Sequence, residues 1–425
     1  MRAPSVVAAA LLCGLVLVRP AAAQAPEDSG QADLLAELQA AEAADAAQAA
    51  KARRPGAVQA ADRKAEDPLE RLPQGAREVV GNEANPAMSI ILDFAGAVYA
   101  RERHLRPGGY APGDNGPALQ DAELAASAAI DPFFRLQGAV ALAEAEIEEL
   151  YLATTSLPLN LQLRAGKLKS SIGRLNPMHP HQWSFITSPL GNDWLFGEEG
   201  LALPGLEISV LLPLPWYVEL VGALQAGAAG SFGAPVGTDA IGFGDFVYPL
   251  RLVQFFDLSD DWAVQLGTSG VLGRSAAGSE TGERSYAAGT DLMFKWRPIG
   301  WGKTGYTSVA WVTEAWLRQM DVPGDRWRDA GGYSDLVFGI DKQWQAAVRG
   351  ECWRRLGGGA WSAGIDRAGF GLDAVRASAQ VSYLPSHFSR VRLQYTFERI
   401  DGFEDGHIGL LQLEVSAGAH GAHAY

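Results

Sequence analysis

Strict alternation of apolar and polar residues near the end of the chain constrains the fold more than any other feature. In residues 391–398 every second side chain is apolar, and the residues between them are polar or charged. After a turn at Asp401–Gly406 the alternation returns, with Leu411, Leu413 and Val415 on one face. A period of two residues is typical of a β-strand with one apolar and one polar face. Such strands occur both in soluble sandwiches and in transmembrane barrels.

Similar segments of about ten residues recur along most of the chain, as tilted strands that cross a bilayer require. We therefore predict an all-β fold, a transmembrane antiparallel β-barrel of about sixteen strands, the even number typical of single-chain outer-membrane barrels. The longest connections are predicted at 102–117, 169–202, 228–247 and 323–332. The predicted strands lie near 87–101, 118–129, 133–143, 146–155, 160–168, 203–213, 216–227, 248–257, 261–273, 285–297, 305–320, 333–342, 344–356, 373–384, 388–400 and 406–417.

Aromatic residues stand at the ends of several predicted strands. In a barrel these side chains would form the girdles that sit at the two membrane interfaces. In a soluble protein the same residues would belong to a core. They are Trp216, Tyr217, Tyr248, Trp262, Trp296, Trp301, Trp344 and Tyr383.

The first residues have the pattern of a secretory signal. Arg2 is followed by the apolar run Val6–Val18, and Ala21–Ala23 offers a small-residue cleavage site. We predict a signal peptide at 1–23, an Ala- and Glu-rich periplasmic leader, helical or disordered, at 24–85, and an outer-membrane barrel at 86–425. The expected location is the outer membrane of a Gram-negative bacterium, in contact with its lipid. The terminal aromatic Tyr425 is the expected signal for the barrel-assembly machinery.

Composition excludes some classes of function. The formal net charge is −14 and becomes −16 when Arg2 and Arg19 leave with the signal, which argues against nucleic acid as a partner. Cys352 would then be the remaining cysteine, so no intramolecular disulfide is expected. The chain has no Gly-x-Ser-x-Gly elbow, and His387 beside Ser386 is weak support for a catalytic set. We predict neither an enzyme nor a bound cofactor.

A basic stretch follows the fifth predicted strand. It contains Arg164, Lys167, Lys169 and Arg174 and no acidic residue. The long irregular segment that continues from it must cap the mouth or fold into the lumen, because its backbone cannot face lipid. Folded inward, these four basic residues are predicted to line a constriction that favours anions.

Histidine pairs suggest a metal hypothesis. His179 and His181 stand two residues apart, and His420 and His423 stand three apart. Zn²⁺ takes such imidazoles, but no cysteine and no sequence-fixed carboxylate accompanies either pair, so the alternative is two exposed pairs without metal. The acidic run Glu146–Glu149 either binds cations at the mouth or forms a solvated turn.

The stretch that carries these residues resembles the phosphate-selective porin family, whose members are sixteen-stranded trimeric barrels. It is similar also to a group of barrels labelled zinc-regulated TonB-dependent outer-membrane receptors. The resemblance spans roughly Asn85 to Tyr425 and implies a barrel and a homotrimer. It is carried by Arg164–Lys167, Gly173–Pro177, His179, His181, Gly197–Gly200, Leu211–Pro215 and the run Gly418–His423 before a terminal aromatic.

Together these features predict a passive channel for small polar or anionic solutes. A TonB-dependent, metal-related receptor or transporter is the first alternative, although Gln24–Glu83 is short and polar for a plug domain. A structural barrel that anchors a periplasmic component is the second. Weak anion preference is predicted despite the acidic chain, because charge acts most strongly where a pore is narrow.

Overall fold

The computed structural model describes residues 86–100, 110–233, 242–277, 282–298, 307–358 and 372–418. The chain divides into two units, Met1–Glu78 and Val79–Tyr425, and all described residues belong to the second. The predicted signal and leader, as well as Trp301, His420, His423 and Tyr425, lie outside the described residues. Among the residues described, no helix is both long and apolar enough to cross a membrane.

Sixteen antiparallel strands form a closed barrel, which confirms the predicted fold class. The first and last strands close it, with Phe94 opposite Leu413. The barrel strands are β1 (Ala87–Tyr99), β2 (Gly116–Ala129), β3 (Phe134–Ala141), β4 (Glu146–Thr154), β5 (Leu161–Lys169), β6 (Ala202–Leu211), β7 (Tyr217–Gln225), β10 (Tyr248–Asp257), β11 (Trp262–Arg274), β12 (Arg284–Trp296), β13 (Ser308–Val322), β14 (Asp325–Gly339), β15 (Trp344–Gly357), β16 (Ala374–Ser386), β17 (Ser389–Ile400) and β18 (Gly406–Gly418).

Few other elements are present in the described residues. A separate two-stranded ribbon, β8 (Ala228–Ala229) and β9 (Phe232–Gly233), lies in the connection between β7 and β10. One short α-helix, α1 (Leu190–Phe196), lies in the connection between β5 and β6. Single 3₁₀ turns occupy Pro158–Asn160, Pro180–Gln182 and Phe243–Asp245.

The predicted strands match the observed ones except at one connection. Residues 323–332 were expected to form a long loop, but β13 and β14 meet in a tight turn at Pro323–Gly324, with Val322 opposite Asp325. Gly324 takes a positive φ of 78°, which the turn requires. The start of β14 is exposed and polar on both faces, so the apolar alternation that marks a strand is absent there.

The two faces of the wall differ sharply in character. Outward side chains are large, apolar and exposed, as for Val98, Leu393 and Leu411. Inward side chains are polar and buried, as for Arg392 and Gln412. An exposed apolar belt around a polar interior is the reverse of a soluble fold and is typical of a barrel in lipid.

The two ends of the barrel have connections of different length. The short-turn end, which carries the start of β1 and the end of β18, has the connections 130–133, 155–160, 212–216, 258–261, 340–343 and 387–388, and one longer connection, 297–307. The long-loop end has 100–115, 170–201, 226–247 and 358–373, together with four shorter connections. In outer-membrane barrels the short turns face the periplasm.

Aromatic side chains gather near the short-turn end. Trp262 lies 5.9 Å from Trp296 and Trp344 lies 4.8 Å from Tyr383, measured between ring centroids. Trp216 stands in the turn between β6 and β7 and is also exposed. This arrangement agrees with the predicted interfacial girdle.

Candidate functional site: the barrel lumen

Paired charges line the lumen. Arg349 donates to the Asp335 carboxylate at 2.7 Å from both Nε and Nη2, and the two residues stand directly opposite each other on β14 and β15. Five other inward pairs lie around the wall, all but one between residues directly opposite on adjacent strands, the exception being Arg251 and Asp291, which meet across β11. Most of the fixed charge is therefore neutralised locally. The five pairs are Arg164–Glu207, Arg251–Asp291, Arg318–Asp329, Arg376–Glu398 and Arg390–Glu414.

The connection 170–201, here named the lumen segment, folds inside the barrel. It leaves β5 and returns to β6 at one point, since the Ser170 amide donates to the Leu201 carbonyl at 2.8 Å. Between these residues its carbonyls accept hydrogen bonds from wall arginines. Arg349 reaches Thr187 at 2.8 Å and Arg392 reaches Trp183 at 2.9 Å. The expected choice between capping the mouth and folding inward is thus resolved in favour of the interior.

The amides of the lumen segment are satisfied by acceptors on the wall. Arg174 N–H donates to Glu314 at 3.0 Å, Ile186 N–H to Gln394 at 2.8 Å, and Leu190 N–H to Glu351 at 2.7 Å. An irregular backbone at membrane depth is tolerated only where partners of this kind replace water. The wall therefore specifies the path of the segment.

An apolar cluster packs the lumen segment against one side of the wall. From α1, Phe196 packs against Phe232 and Trp316, and Trp194 packs against Trp353. Two inward glycines make room for the large rings, because a Cβ at Gly289 would meet Trp316 and a Cβ at Gly331 would meet Trp353. This part of the lumen is filled by protein.

A cavity of about 570 Å³ remains beside the lumen segment. Pro177 and Ser171 of the segment form one side of it, and β5, β6, β7, β10 and β11 form the other. Its charged lining consists of Arg164, Glu207, Glu219 and Arg251, and its polar lining of Gln162, Ser171, Ser209, Tyr217 and Gln265. A larger concavity of about 1320 Å³ is lined by outward leucines, so it belongs to the lipid-facing surface and not to the lumen.

The four basic residues predicted for the constriction occupy different positions. Arg164 points inward and is paired with Glu207, whereas Lys167 lies on the outward face of β5 and bonds Glu146 at 2.8 Å. Lys169 is buried at the end of β5. Arg174 lies within the lumen segment.

Arg174 is the exception to the pairing of lumen charge. Its guanidinium donates to the Gln265 amide oxygen at 3.2 Å and forms no ion pair in the described part of the chain. Burial lowers the pKa of Arg174 from its ordinary value. Arg164 and Gln265 both line the cavity, so Arg174 lies beside the cavity through its bond to Gln265.

A cluster of imidazoles and carboxylates lies where the lumen segment meets β2 and β4 of the wall. His179 Nδ1 is 2.9 Å from Glu148 Oε2 and 3.2 Å from Glu123 Oε2, and its Nε2 is 3.0 Å from Glu149 Oε2. His181 Nδ1 is 3.3 Å from Glu123 Oε2. All five residues are nearly inaccessible to solvent; His179 is the least buried, with its side chain 12% exposed. The two histidines are therefore not an exposed loop pair.

The protonation of His179 depends on its carboxylate neighbours. Burial and the charge of Lys169 lower the pKa of His179, but the hydrogen bonds to Glu123, Glu148 and Glu149 outweigh them and raise it well above its ordinary value. The sequence predicted either cation binding at the mouth or a solvated turn for Glu148 and Glu149, and it did not single out Glu123. The signal that could have identified Glu123 was its inward position on β2, two residues from Asp121.

Comparison with known proteins finds a sequence relative and solved structures of similar fold. No family model matches the chain. An uncharacterized protein of Aquifex aeolicus (strain VF5) is 27% identical over 333 residues, which cover 72% of this chain and 70% of that protein. Outer-membrane expressed OmpT of Vibrio cholerae superposes with a TM-score of 0.52 at 8% identity, covering 79% of this chain and 99% of its own.

Two further solved structures superpose equally well. The outer membrane channel DcaP of Acinetobacter baumannii has a TM-score of 0.52 at 9% identity and covers 80% of this chain and 100% of its own. The anion-selective porin from Comamonas acidovorans has a TM-score of 0.52 at 9% identity and covers 78% of this chain and 99% of its own. At these identities the likeness concerns the fold alone, and the fold of this chain is that of the outer-membrane porins.

Proposed function

We propose that the chain is a porin-like channel of the Gram-negative outer membrane that lets small polar solutes, anions among them, diffuse across it. The proposal includes a signal peptide at 1–23, a periplasmic leader at 24–85 and a barrel at 86–425. The apolar outer belt supports a position in lipid, and the charged interior supports the passage of polar solutes. A homotrimer is the assembly that the family resemblance suggests.

One observation carries the proposal, which is the polar cavity beside the lumen segment. Its arginines and carboxylates offer a solute hydrogen bonds in place of water. The lumen segment narrows the route elsewhere, since it is hydrogen-bonded to the wall from β11 to β17. We therefore expect a conductance well below that of a wide pore.

Removal of the lumen segment tests this function directly. Residues 172–199 are replaced by a short Gly-Ser turn, which the contact between Ser170 and Leu201 allows. In planar bilayers the wild type should conduct weakly and the shortened protein several times more, because the obstruction is gone. Shortening the connection 401–405, which lies outside the lumen, is the matched control and should leave conductance unchanged. A shortened barrel that inserts but stays silent would refute the channel.

The filled part of the lumen favours a second candidate, an energised receptor or transporter. The apolar cluster around α1 closes one side of the barrel more firmly than a diffusion pore needs. A silent wild-type protein whose solute uptake is lost on deletion of the energy-transducing partner would support this candidate. Under the channel proposal, conductance persists without residues 24–83, whereas a barrel that only anchors a periplasmic component has no conductance to preserve.

A further inference from the structure

We infer that the lumen binds one divalent transition-metal cation, with Zn²⁺ as the best-matched ion, between Glu123, Glu148, His179 and His181. The site joins β2 and β4 to the lumen segment. It is independent of solute passage, because binding is measurable on the purified barrel in detergent.

The spacing of the donor atoms fits a metal. One ligand atom from each of Glu123, Glu148 and His179 lies within 4.8 Å of the other two. The separations between His179 Nδ1 and the Glu148 and Glu123 oxygens are 2.9 and 3.2 Å, and His181 Nδ1 lies 3.3 Å from Glu123. A tetrahedral zinc with bonds of about 2.1 Å separates its ligand atoms by about 3.4 Å. Glu123, Glu148 and His179 are spaced for three of its positions, and His181, which now faces Glu123, would have to turn toward the other two to take the fourth.

Glu149 occupies the place of an orienting carboxylate. It lies 3.0 Å from His179 Nε2, and its other oxygen accepts the Lys169 backbone N–H at 2.7 Å. A metal-bound imidazole usually donates its second N–H to such a carboxylate. When Nε2 keeps its proton and Nδ1 gives its own up, the Nδ1 lone pair faces the oxygens of Glu148 and Glu123, and a metal cation can take the place of that proton.

The carboxylate of Glu123 supplies a second and independent indication. Its side chain is only 2% exposed, and its Oε2 atom makes no hydrogen bond of good geometry in the described structure. This atom nevertheless faces both imidazole Nδ1 atoms at 3.2 and 3.3 Å. A buried carboxylate oxygen that faces two imidazole nitrogens in this way has the position expected of a ligand that binds the same metal ion as the two imidazoles.

Charge and donor type select the class of ion. Glu123, Glu148 and Glu149 bring three buried negative charges, and Lys169 beside them contributes one positive charge. A divalent cation leaves the cluster neutral when both imidazoles are neutral. Imidazole nitrogens favour zinc and its neighbours over Mg²⁺ and Ca²⁺, which prefer oxygen ligands.

The lumen segment presents its two histidines in a stable local structure. Pro180 starts the 3₁₀ turn Pro180–Gln182, and the Gln182 side chain accepts the His179 backbone N–H at 3.0 Å. Arg390 holds the His181 carbonyl from the wall at 2.7 Å. The two imidazoles lie 5.7 Å apart, stacked at 20°, on the side of the carboxylates.

Calorimetric titration with ZnCl₂ tests the site on the full chain, stripped with chelator and kept in detergent. The background carries His420→Ala and His423→Ala, so that the terminal pair cannot contribute. We expect one equivalent of Zn²⁺ with micromolar or tighter affinity, insensitive to excess Mg²⁺. Glu123→Gln and His179→Ala should each weaken binding at least tenfold. His407→Ala on β18 is the control and should bind as the background does.

Each variant must first show heat-modifiable migration on a gel, which reports a closed barrel. X-ray absorption of the zinc-loaded protein should then show nitrogen and oxygen neighbours and no sulfur. The site is refuted if the folded background protein binds no zinc. It is equally refuted if the folded Glu123→Gln protein, which preserves the shape of the side chain, binds zinc as tightly as the control.

Discussion

Single residues decide the charge that a solute meets in the lumen. Most inward arginines stand opposite a carboxylate on the next strand, so their fields largely cancel beyond a few ångströms. Arg174 is different, because its partner is the neutral side chain of Gln265. Its charge stands on the segment that narrows the lumen, where the local dielectric is low.

The double variant Arg164→Gln with Arg174→Gln should shift the reversal potential in asymmetric salt toward cations. It removes two positive charges beside the cavity and exposes the carboxylate of Glu207. Arg326→Gln changes an exposed arginine at the start of β14 and should leave the reversal potential unchanged. An unchanged potential in the double variant would mean that the lumen segment does not line the narrow part.

Asp193 makes stability depend on pH at the level of one side chain. Burial raises its pKa to about 7, against the lowering effects of Ser188 and Arg376. An acid whose pKa is raised on folding destabilises the folded state increasingly as the pH rises from its ordinary pKa toward 7. Asp193→Asn retains an oxygen for the Ser188 hydroxyl, which donates at 2.6 Å.

We therefore expect Asp193→Asn to raise the thermal midpoint of the barrel at pH 8 and to change it little at pH 4. The midpoint is measured from heat-modifiable migration on gels at both pH values. Asp260→Asn, in an exposed turn of the short-turn end, provides a surface control. Equal effects of Asp193→Asn at the two pH values would contradict the raised pKa.

At the scale of elements, the packing of α1 against the wall depends on glycines at inward positions of the strands. Trp353 occupies the space above Gly331, on the neighbouring strand β14. Well-packed cores lose stability when atoms are inserted, because neighbouring rings cannot move without strain. The lumen of this barrel behaves in this respect like the core of a soluble domain.

Gly331→Ala should destabilise the barrel by about 1–3 kcal/mol, the range for overpacking. The thermal midpoint of unfolding reports the loss. Gly350→Ala on β15 is matched to it, since a Cβ there meets no atom within 4 Å. If both alanine variants have the same thermal midpoint as the wild type, the ring of Trp353 does not fill the space beside Gly331.

At the scale of the whole molecule, closure of the sheet removes every strand edge in the barrel. All inter-strand hydrogen bonds are satisfied within the ring, which is what permits a β-structure to stand in hydrocarbon. The apolar belt then faces lipid on all sides. This surface, together with the predicted export signal, supports the proposed location in the outer membrane.

Cell fractionation should recover the mature chain in the outer membrane, with faster gel migration before heating than after. The reason is that a closed barrel resists detergent until its ring of hydrogen bonds melts. Recovery in the soluble periplasm, with the same migration before and after heating, would rule out the membrane barrel.

The sequence by itself determined most of the strands, a strand number of about sixteen and, where alternation is strict, the face that a side chain takes. Those properties follow from a period of two residues, which is a local pattern and can be recognised without knowing any long-range contact. The inward position of Arg164 and the lipid-facing position of Leu163 were predictable for this reason. The sequence did not determine the position of Lys167, which was predicted to line the constriction and lies on the outward face. The strand start at Asp325 was missed, because a strand beyond the apolar belt is polar on both faces.

Only the tertiary structure decided the path of the lumen segment and which residues its histidines contact. His179 meets Glu123 and Glu148 because strand register and barrel closure place two wall strands beside a chain segment far along the sequence. No local pattern encodes which wall residue an irregular backbone will meet. Its route is set by long-range hydrogen bonds to inward side chains, and these exist only once the ring has closed.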